Sequence, residues 1–331
     1  MGKYNQVLGG GRTMANDAAI AGGLAFLTKE LEKFDNKILE PLSSVSWPRD
    51  IPVRTGGGFV ESVRAIAINY MSAGAGEDGI VTNKTNNVPL VDADLSEQSW
   101  RVFSWANTMR VSYLDQQKLA QIGRTLEDML TKGIKLNHDK TIDENVYVGL
   151  AKHGSTGLVN NANIERYAAD PHTEGSTDTE WTKKTPDEIL ADINKAMVYT
   201  WEQSEYDTSG MANHILLPPQ QYAALVSRKV GVTGDKSLLT YLMENNIGKD
   251  QQVTLSINPC RWCEGAGVGT TDRMVCYANR EDRIRFDMTV PLRRWMTEAS
   301  AIQMSYLTPY VSQFSEVQFL YEQPVVYVDG I

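Results

Sequence analysis

The sequence predicts an α+β fold, and three observations predict it: a long two-stranded hairpin, one very long amphipathic helix, and a later stretch in which short strands alternate with helices. At 331 residues, two domains or one large elaborated domain are expected. Hydrophobic residues make up 42% of the chain and charged residues 22%, which is ordinary for a folded globular protein.

Residues 1–46 predict an amino-terminal arm that contains a helix. After a glycine-rich start, apolar residues recur at steps of three and four, as on one face of a helix. The residues of this face are Ile20, Leu24, Leu27, Leu31, Phe34 and Ile38. Pro41 ends the pattern. The helix packs either on its own domain or on neighbouring subunits, and the sequence does not favour one of the two.

Residues 47–111 predict an extended hairpin with its flanking strands. Residues 59–71 and 90–110 both have the alternation and the β-branched residues of strands. The segment between them is rich in Gly and Asn and cannot build a core. Because an isolated hairpin is marginal in water, we expect this one to lie on a neighbouring subunit. The tip residues expected to make that contact are Ser72, Glu77, Asp78, Lys84 and Asn87.

Residues 112–149 predict a single long helix. Ser112 and Asp115 resemble a capping pair before an apolar run. Apolar residues then recur at steps of three and four and form one stripe. The stripe consists of Leu119, Ile122, Leu126, Met129 (with Leu130) and Ile134. A continuous helix of about 35 residues would be about 50 Å long.

The remaining elements predict a sheet covered by helices, followed by further strands. Residues 160–184 are polar and turn-rich, which is typical of a surface loop. Thr185 and Pro186 predict a strong helix start, because an N-cap residue, a proline and two acids follow one another. Strands at residues 214–217 and 253–257 then alternate with helices. Most of the chain after residue 274 predicts strand.

This order of elements resembles the major capsid proteins of tailed bacteriophages, which share the Hong Kong 97-type shell fold. The resemblance extends over residues 15–331. Within it, Gly157-Leu-Val-Asn160 resembles a turn found in some of these shell proteins, and the final residues 323–331 resemble the closing strand of one capsid subfamily.

The resemblance implies the domain organisation of that fold. Its parts are an amino-terminal arm (1–46), an extended hairpin (47–111), the spine helix and following loop of the peripheral domain (112–185), the axial domain (186–275) and the strands of the peripheral domain (276–331).

The resemblance also implies a structural protein without catalytic activity. Copies are expected to assemble into pentamers and hexamers of an icosahedral head that encloses double-stranded DNA. The expected location is the virion, after assembly in the cytoplasm of a bacterial host. A separate scaffolding protein and a portal are the expected partners, with a decoration protein as a further candidate. Some shells crosslink a loop Lys to an Asn of a neighbour, but a solvated side chain is the ordinary interpretation of Lys84.

Charge and hydropathy exclude several other classes of protein. The net charge of −9 and the pI of about 5.1 argue against a dedicated nucleic-acid binder, which carries a basic surface. They do not argue against a container for DNA. There is no apolar run of 18 residues or more, so we expect neither a membrane span nor contact with a membrane.

Cys260-Arg-Trp-Cys263 is the one motif with chemical potential. A C-x-x-C pair can be redox-active or can supply half of a zinc site, and Cys276 is a candidate third ligand. No His lies near these residues in the sequence, so we favour cysteines that pack in a core and expect no cofactor. Two alternatives to the phage capsid remain: an encapsulin-type nanocompartment shell protein, and a metal or redox protein that uses Cys260 and Cys263.

Overall fold

The computed structural model describes residues 45–73, 90–115, 126–172, 176–230, 236–300 and 302–331. Ser44–Ile331 belong to one compact unit. The predicted arm helix with its six apolar residues lies outside the described residues. The same holds for Glu77, Asp78, Lys84 and Asn87 of the hairpin tip, and for Leu119 and Ile122 of the predicted spine helix.

The described strands and helices follow the predicted order. The strands are β1 (Val53–Thr55), β2 (Ser62–Ala73), β3 (Leu90–Ser112), β4 (Arg166–Ala168), β5 (His214–Leu217), β6 (Lys229–Val230), β7 (Lys236–Ser237), β8 (Ser256–Pro259), β9 (Arg273–Tyr277), β10 (Ile284–Met288), β11 (Val290–Arg294), β12 (Glu298–Ser300), β13 (Ser305–Ser315), β14 (Gln318–Phe319) and β15 (Val325–Asp329). The helices are α1 (Trp47–Asp50), α2 (Leu126–Tyr147), α3 (Pro186–Gln203), α4 (Pro219–Ser227), α5 (Leu238–Asn245) and α6 (Ile247–Asp250).

The predicted hairpin is formed by β2 and the first half of β3. These two segments pair antiparallel from Ser62 opposite Arg101 to Ala73 opposite Leu90. The second half of β3 leaves the hairpin and pairs antiparallel with β13, from Val102 opposite Ser315 to Ser112 opposite Ser305. One continuous strand therefore joins a two-stranded ribbon to the body of the protein.

The helix α2 packs along that body with one face. Ile134, His138, Ile142 and Val146, each four residues after the last, are buried. Met129, which the sequence places on the same stripe, is instead 38% exposed, and Leu130 packs in its place. The buried residues of this face recur every four positions, and four residues before Ile134 is residue 130. The side chain of Leu126 lies outside the described residues.

A central five-stranded sheet, in the order β4-β15-β9-β5-β8, lies between two hydrophobic clusters. Alternate residues of a strand point to opposite faces, so the same strands serve both clusters. Leu216, Val275 and Tyr327 pack on the side of α2. Ile215, Met274 and Val328 pack on the side of α3. The carboxy-terminal strand β15, expected among the peripheral strands, thus shares a sheet with strands expected in the axial domain.

Residues 160–184 are not only a surface loop. They include the short strand β4, and the side chains of Ile164, Trp181 and Lys184 are buried. The Lys184 ammonium and the Trp181 indole N–H both donate to the carboxylate of Asp192 on α3. This satisfied ion pair explains how a segment of polar composition packs against the core.

The predicted start of α3 is confirmed in atomic detail. Thr185 Oγ1 accepts a hydrogen bond from the backbone N–H of Glu188 at 3.3 Å, and Glu188 Oε2 accepts one from the backbone N–H of Thr185 at 2.6 Å. This reciprocal arrangement is a capping box.

Removal of the cap should weaken the helix measurably. Thr185→Ala is expected to lower the free energy of unfolding by about 1 kcal/mol, because the backbone N–H of Glu188 loses its side-chain acceptor. Urea unfolding followed by circular dichroism measures the change, with Thr254→Ala at an exposed loop position as the control. Equal loss in both variants would show that the cap contributes nothing.

Candidate functional site

One face of the hairpin ribbon presents exposed apolar side chains. Ile68 lies opposite Leu95 and Ile66 lies opposite Glu97, and directly opposed residues share a face. Ile66 is 68% exposed, Ile68 51% and Leu95 66%. Arg64 and Glu97 form an ion pair of 3.4 Å on the same face, beside Ile66. An apolar surface of this kind with a polar rim is typical of a protein contact site. We call Ile66, Ile68 and Leu95 the hairpin face.

A second apolar surface lies where β12 turns into β13. Ile302 is 99% exposed and Met304 56%. Tyr306 on β13 and Tyr113, just after β3, are exposed beside them, and the Tyr113 backbone N–H donates to the Met304 carbonyl at 2.9 Å. The turn therefore presents large apolar side chains that the described part of the chain does not cover.

A buried polar cluster fixes the junction between α1, α2 and the central sheet. Asp50 at the end of α1 is fully buried. Its Oδ1 accepts from Arg49 Nε at 2.6 Å and lies 3.1 Å from His214 Nε2 on β5. The Tyr147 hydroxyl at the end of α2 donates to Oδ2. The Tyr277 hydroxyl on β9 donates to the Asp50 backbone carbonyl. One carboxylate thus ties a helix turn, the long helix and the sheet together.

The electrostatics of the cluster favour an ionised Asp50. Burial alone would raise the pKa of the carboxyl, but the hydrogen bonds that it accepts, first from His214, outweigh burial and hold the pKa below its ordinary value. Burial raises the pKa of the Tyr147 phenol, and the neighbouring Asp50 charge raises it further. The phenol is therefore a neutral donor to the carboxylate.

The three cysteines lie in the two hydrophobic clusters as free thiols. Cys260 and Cys263 pack on the side of α2, and Cys276 packs on the other side of the sheet. Burial raises the pKa of Cys263 and of Cys276, so these thiols are protonated at neutral pH. This environment is that of packing cysteines. Among the described residues, no group of three or more His, Cys, Asp or Glu side chains is arranged to hold a metal ion.

The turn after the long helix caps the helix end. The backbone N–H groups of Leu158 and Val159 donate to the carbonyls of Val146 and Tyr147, at 2.8 and 2.9 Å. Asn160 Oδ1 accepts from the backbone N–H of Gly157 at 2.8 Å. A Cβ on Gly157 would lie 2.3 Å from the Tyr147 carbonyl carbon, so only glycine fits. The Gly-Leu-Val-Asn segment thus has a structural role, which is to join the long helix to the central sheet.

Comparison with known families decides the identity of the chain. The sequence model of the family described as major capsid protein matches residues 76–331, well over half of the chain. The chain belongs to the major capsid protein family. It is a structural protein of the virion capsid, and it forms an oligomeric shell with other capsid subunits.

Solved capsid structures are similar to this capsid protein along most of their length. The capsid of Myoviridae phage XM1 matches with a TM-score of 0.75 and 15% identity, over 92% of this chain and 98% of that chain. Microbacterium phage Oxtober96 matches with a TM-score of 0.60 and 13% identity, over 93% and 98% of the two chains. The capsid of a native GTA particle matches with a TM-score of 0.60 and 10% identity, over 90% and 94%. At these identities the likeness shows the fold, which is the Hong Kong 97 type.

No curated protein sequence matches this capsid protein. None of its described helices is both long and apolar enough to cross a membrane.

The sequence predicted contacts with a neighbouring subunit at the hairpin tip, and this stays a prediction, because the tip residues other than Ser72 lie outside the described residues. Of the tip residues, Ser72 lies within β2, opposite Val91, and its side chain is outside the described part of the chain. The hairpin face was missed, although a signal existed. Both alternating sets of β2 residues are apolar, Val63, Ala65 and Ala67 on one face and Ile66 and Ile68 on the other, so one apolar face had to lack cover within the hairpin.

Proposed function

We propose that this capsid protein assembles as pentamers and hexamers into a closed icosahedral head that encloses double-stranded DNA. The net charge of −9 supports a container, because a wall that bound phosphates tightly would hinder packaging and release. A separate scaffolding protein, a portal and a decoration protein belong to the same proposal, as does assembly in the cytoplasm of the host.

In this assembly, residues 186–275 form the axial domain near the centre of each capsomere. Residues 112–185 and 276–331 form the peripheral domain. The central sheet supports a rigid connection between the two, because Tyr327, Val328 and Asp329 of β15 pair with residues 273–275 of β9. A load on one domain therefore passes to the other through a ladder of backbone hydrogen bonds.

The proposal rests mainly on the exposed hairpin face. Burial of an Ile or Leu side chain is worth about 1.5–3 kcal/mol, so three such residues supply several kcal/mol for each contact between subunits. A two-stranded ribbon with an apolar outer face gains stability when it lies on a partner. The partner in a shell of identical subunits is the adjacent copy, so we infer that the hairpin face lies on the neighbouring subunit.

Charge on the hairpin face should block shell formation. Ile66→Lys with Leu95→Lys is expected to leave a folded subunit that forms no closed shells, because burial of two unpaired ammonium groups costs several kcal/mol. Gln98→Lys is the matched control, since Gln98 is also exposed on β3 but points to the other face. Negative-stain microscopy counts shells, and circular dichroism checks the fold. Normal shells from the double variant would overturn the proposed role of the hairpin face.

A further inference from the structure

The short helix α1 cannot hold its position by its own hydrogen bonds. It has only four residues, Trp47–Asp50, and so short a helix is not stable alone in water. Its N-cap residue is Ser46, whose side chain makes no capping hydrogen bond. The Ser46 hydroxyl lies instead 2.9 Å from the Tyr147 hydroxyl at the end of α2. The position of α1 is therefore set by its contacts with the rest of the protein.

A buried carboxylate on the long helix binds the backbone at the start of α1. Asp143 of α2 is 1% exposed. Its Oδ1 accepts a hydrogen bond from the Ser46 backbone N–H at 3.2 Å. Its Oδ2 accepts two more, from Arg261 Nη2 and from the Trp262 indole N–H, both at 2.9 Å. Because a buried carboxylate is costly without such donors, all three stabilise it in this position.

Two of these donors are the residues between the cysteines of the C-x-x-C motif. Cys260 and Cys263 pack in the hydrophobic cluster on the side of α2. The Cys260 backbone N–H donates to the Leu217 carbonyl at the end of β5, at 2.7 Å, which ties the motif to the central sheet. The Arg261 guanidinium lies over the Trp262 ring, 4.6 Å from its centre. This stack holds both donors on the same oxygen of the carboxylate.

We infer that the C-x-x-C motif fixes the point at which the amino-terminal part of the chain joins the body. Arg261 and Trp262 orient Asp143, and Asp143 holds Ser46. We call these four residues the Asp143 cluster. Arg261 and Trp262 are positioning residues, since they act on Ser46 through the carboxylate. The inference goes beyond the proposed function, because it gives a role to a motif that shell formation does not explain.

Hydrogen exchange of the full-length, unassembled subunit, followed by NMR, tests this role. Trp262→Phe removes one donor to Asp143 and keeps an aromatic ring beside Arg261. The carboxylate is then held less firmly, so the Ser46 amide should exchange at least about threefold faster. Trp201→Phe is the matched control. It removes an indole N–H that donates to the Tyr206 carbonyl at 2.8 Å, outside the Asp143 cluster, and should leave the Ser46 amide unchanged.

The central sheet separates a positioning role from a general loss of stability. The amides of the paired strands β9 and β15 report the unfolding of the whole subunit. In Trp262→Phe they should keep the native exchange rate. A rise by the same factor as at Ser46 would mean general destabilisation and would overturn the inference. A Ser46 amide that exchanges at the native rate would overturn it as well.

A double variant tests whether Trp262 acts through Asp143. Asp143→Ala removes the acceptor, so the Ser46 amide should exchange at least about tenfold faster than in the native protein. Addition of Trp262→Phe to this variant should have no further effect on that amide. Effects that multiply would show that Trp262 acts on Ser46 by another route, and the inference would be wrong.

A change at the surface keeps the test decisive even if Asp143→Ala does not fold. The Arg261 side chain is 47% exposed, so Arg261→Gln removes one donor without a change in the core. The Ser46 amide should again exchange at least about threefold faster. Arg280→Gln, which removes an exposed guanidinium paired with Asp282, is the control and should have no effect at Ser46. Equal rates in the two variants would overturn the role of Arg261.

Discussion

Gly157→Ala should prevent stable folding of the subunit. The new Cβ would lie 2.3 Å from the Tyr147 carbonyl carbon and 2.5 Å from the Val148 backbone nitrogen. These are backbone atoms at the end of the long helix, and neither can move without loss of the hydrogen bonds that cap the helix. Overpacking against atoms that cannot yield costs about 3 kcal/mol or more, a large part of the stability of a typical domain.

The soluble yield and the midpoint of thermal unfolding measure this effect. Gly133→Ala is the matched control, because a Cβ at this exposed helical position meets nothing within 4 Å. It should stabilise the helix by about 1 kcal/mol relative to the native glycine. If the Gly157→Ala variant had the same midpoint of thermal unfolding as the native protein, this would contradict the close approach of the turn to the helix.

Removal of the Asp50 carboxylate should destabilise the subunit by a comparable amount. Asp50→Ala leaves the Tyr147 hydroxyl and the His214 imidazole without their buried partner, and loss of one member of a buried charged cluster costs about 3–5 kcal/mol. Urea unfolding at neutral pH measures the loss. Asp282→Ala, which removes a surface carboxylate from an exposed ion pair, is the control and should cost well under about 1 kcal/mol.

The pH dependence of Asp50→Asn gives a second measure of the same cluster. The folded protein holds the pKa of Asp50 below its ordinary value, so the charge contributes stability that is fully present above the unfolded pKa of about 3.9. That contribution is lost as the pH falls through the folded pKa. The native protein should therefore exceed Asp50→Asn in stability at neutral pH, and the difference should shrink below about pH 4. A difference that is constant with pH would show that the charge of Asp50 does not matter.

The regular elements were predictable because each depends on local chemistry. The capping box of Thr185 and Glu188 satisfies backbone groups within four residues of the chain, and the strand at residues 214–217 is an apolar run. The alternation along β2 and β3 reflects the geometry of a strand. Such local patterns can be interpreted without knowing which residues they contact in the folded protein.

The contacts over long sequence separations were not predictable in the same way. Gln313 and Val60 are 253 residues apart, and nothing in either local sequence marks them as partners. Leu130 and not Met129 lies on the packed face of α2, and this depends on where the helix meets β3 and β13. The buried Lys184 was missed for a different reason, because its segment is polar in composition although its partner Asp192 lies only eight residues further along the chain.

The most direct test of the account is a cryo-electron microscopy reconstruction of the particles that the purified protein forms. We expect closed shells built of pentamers and hexamers, in which Ile66, Ile68 and Leu95 of each hairpin are covered by the adjacent subunit. Closed shells in which these three side chains remain exposed to solvent would contradict it.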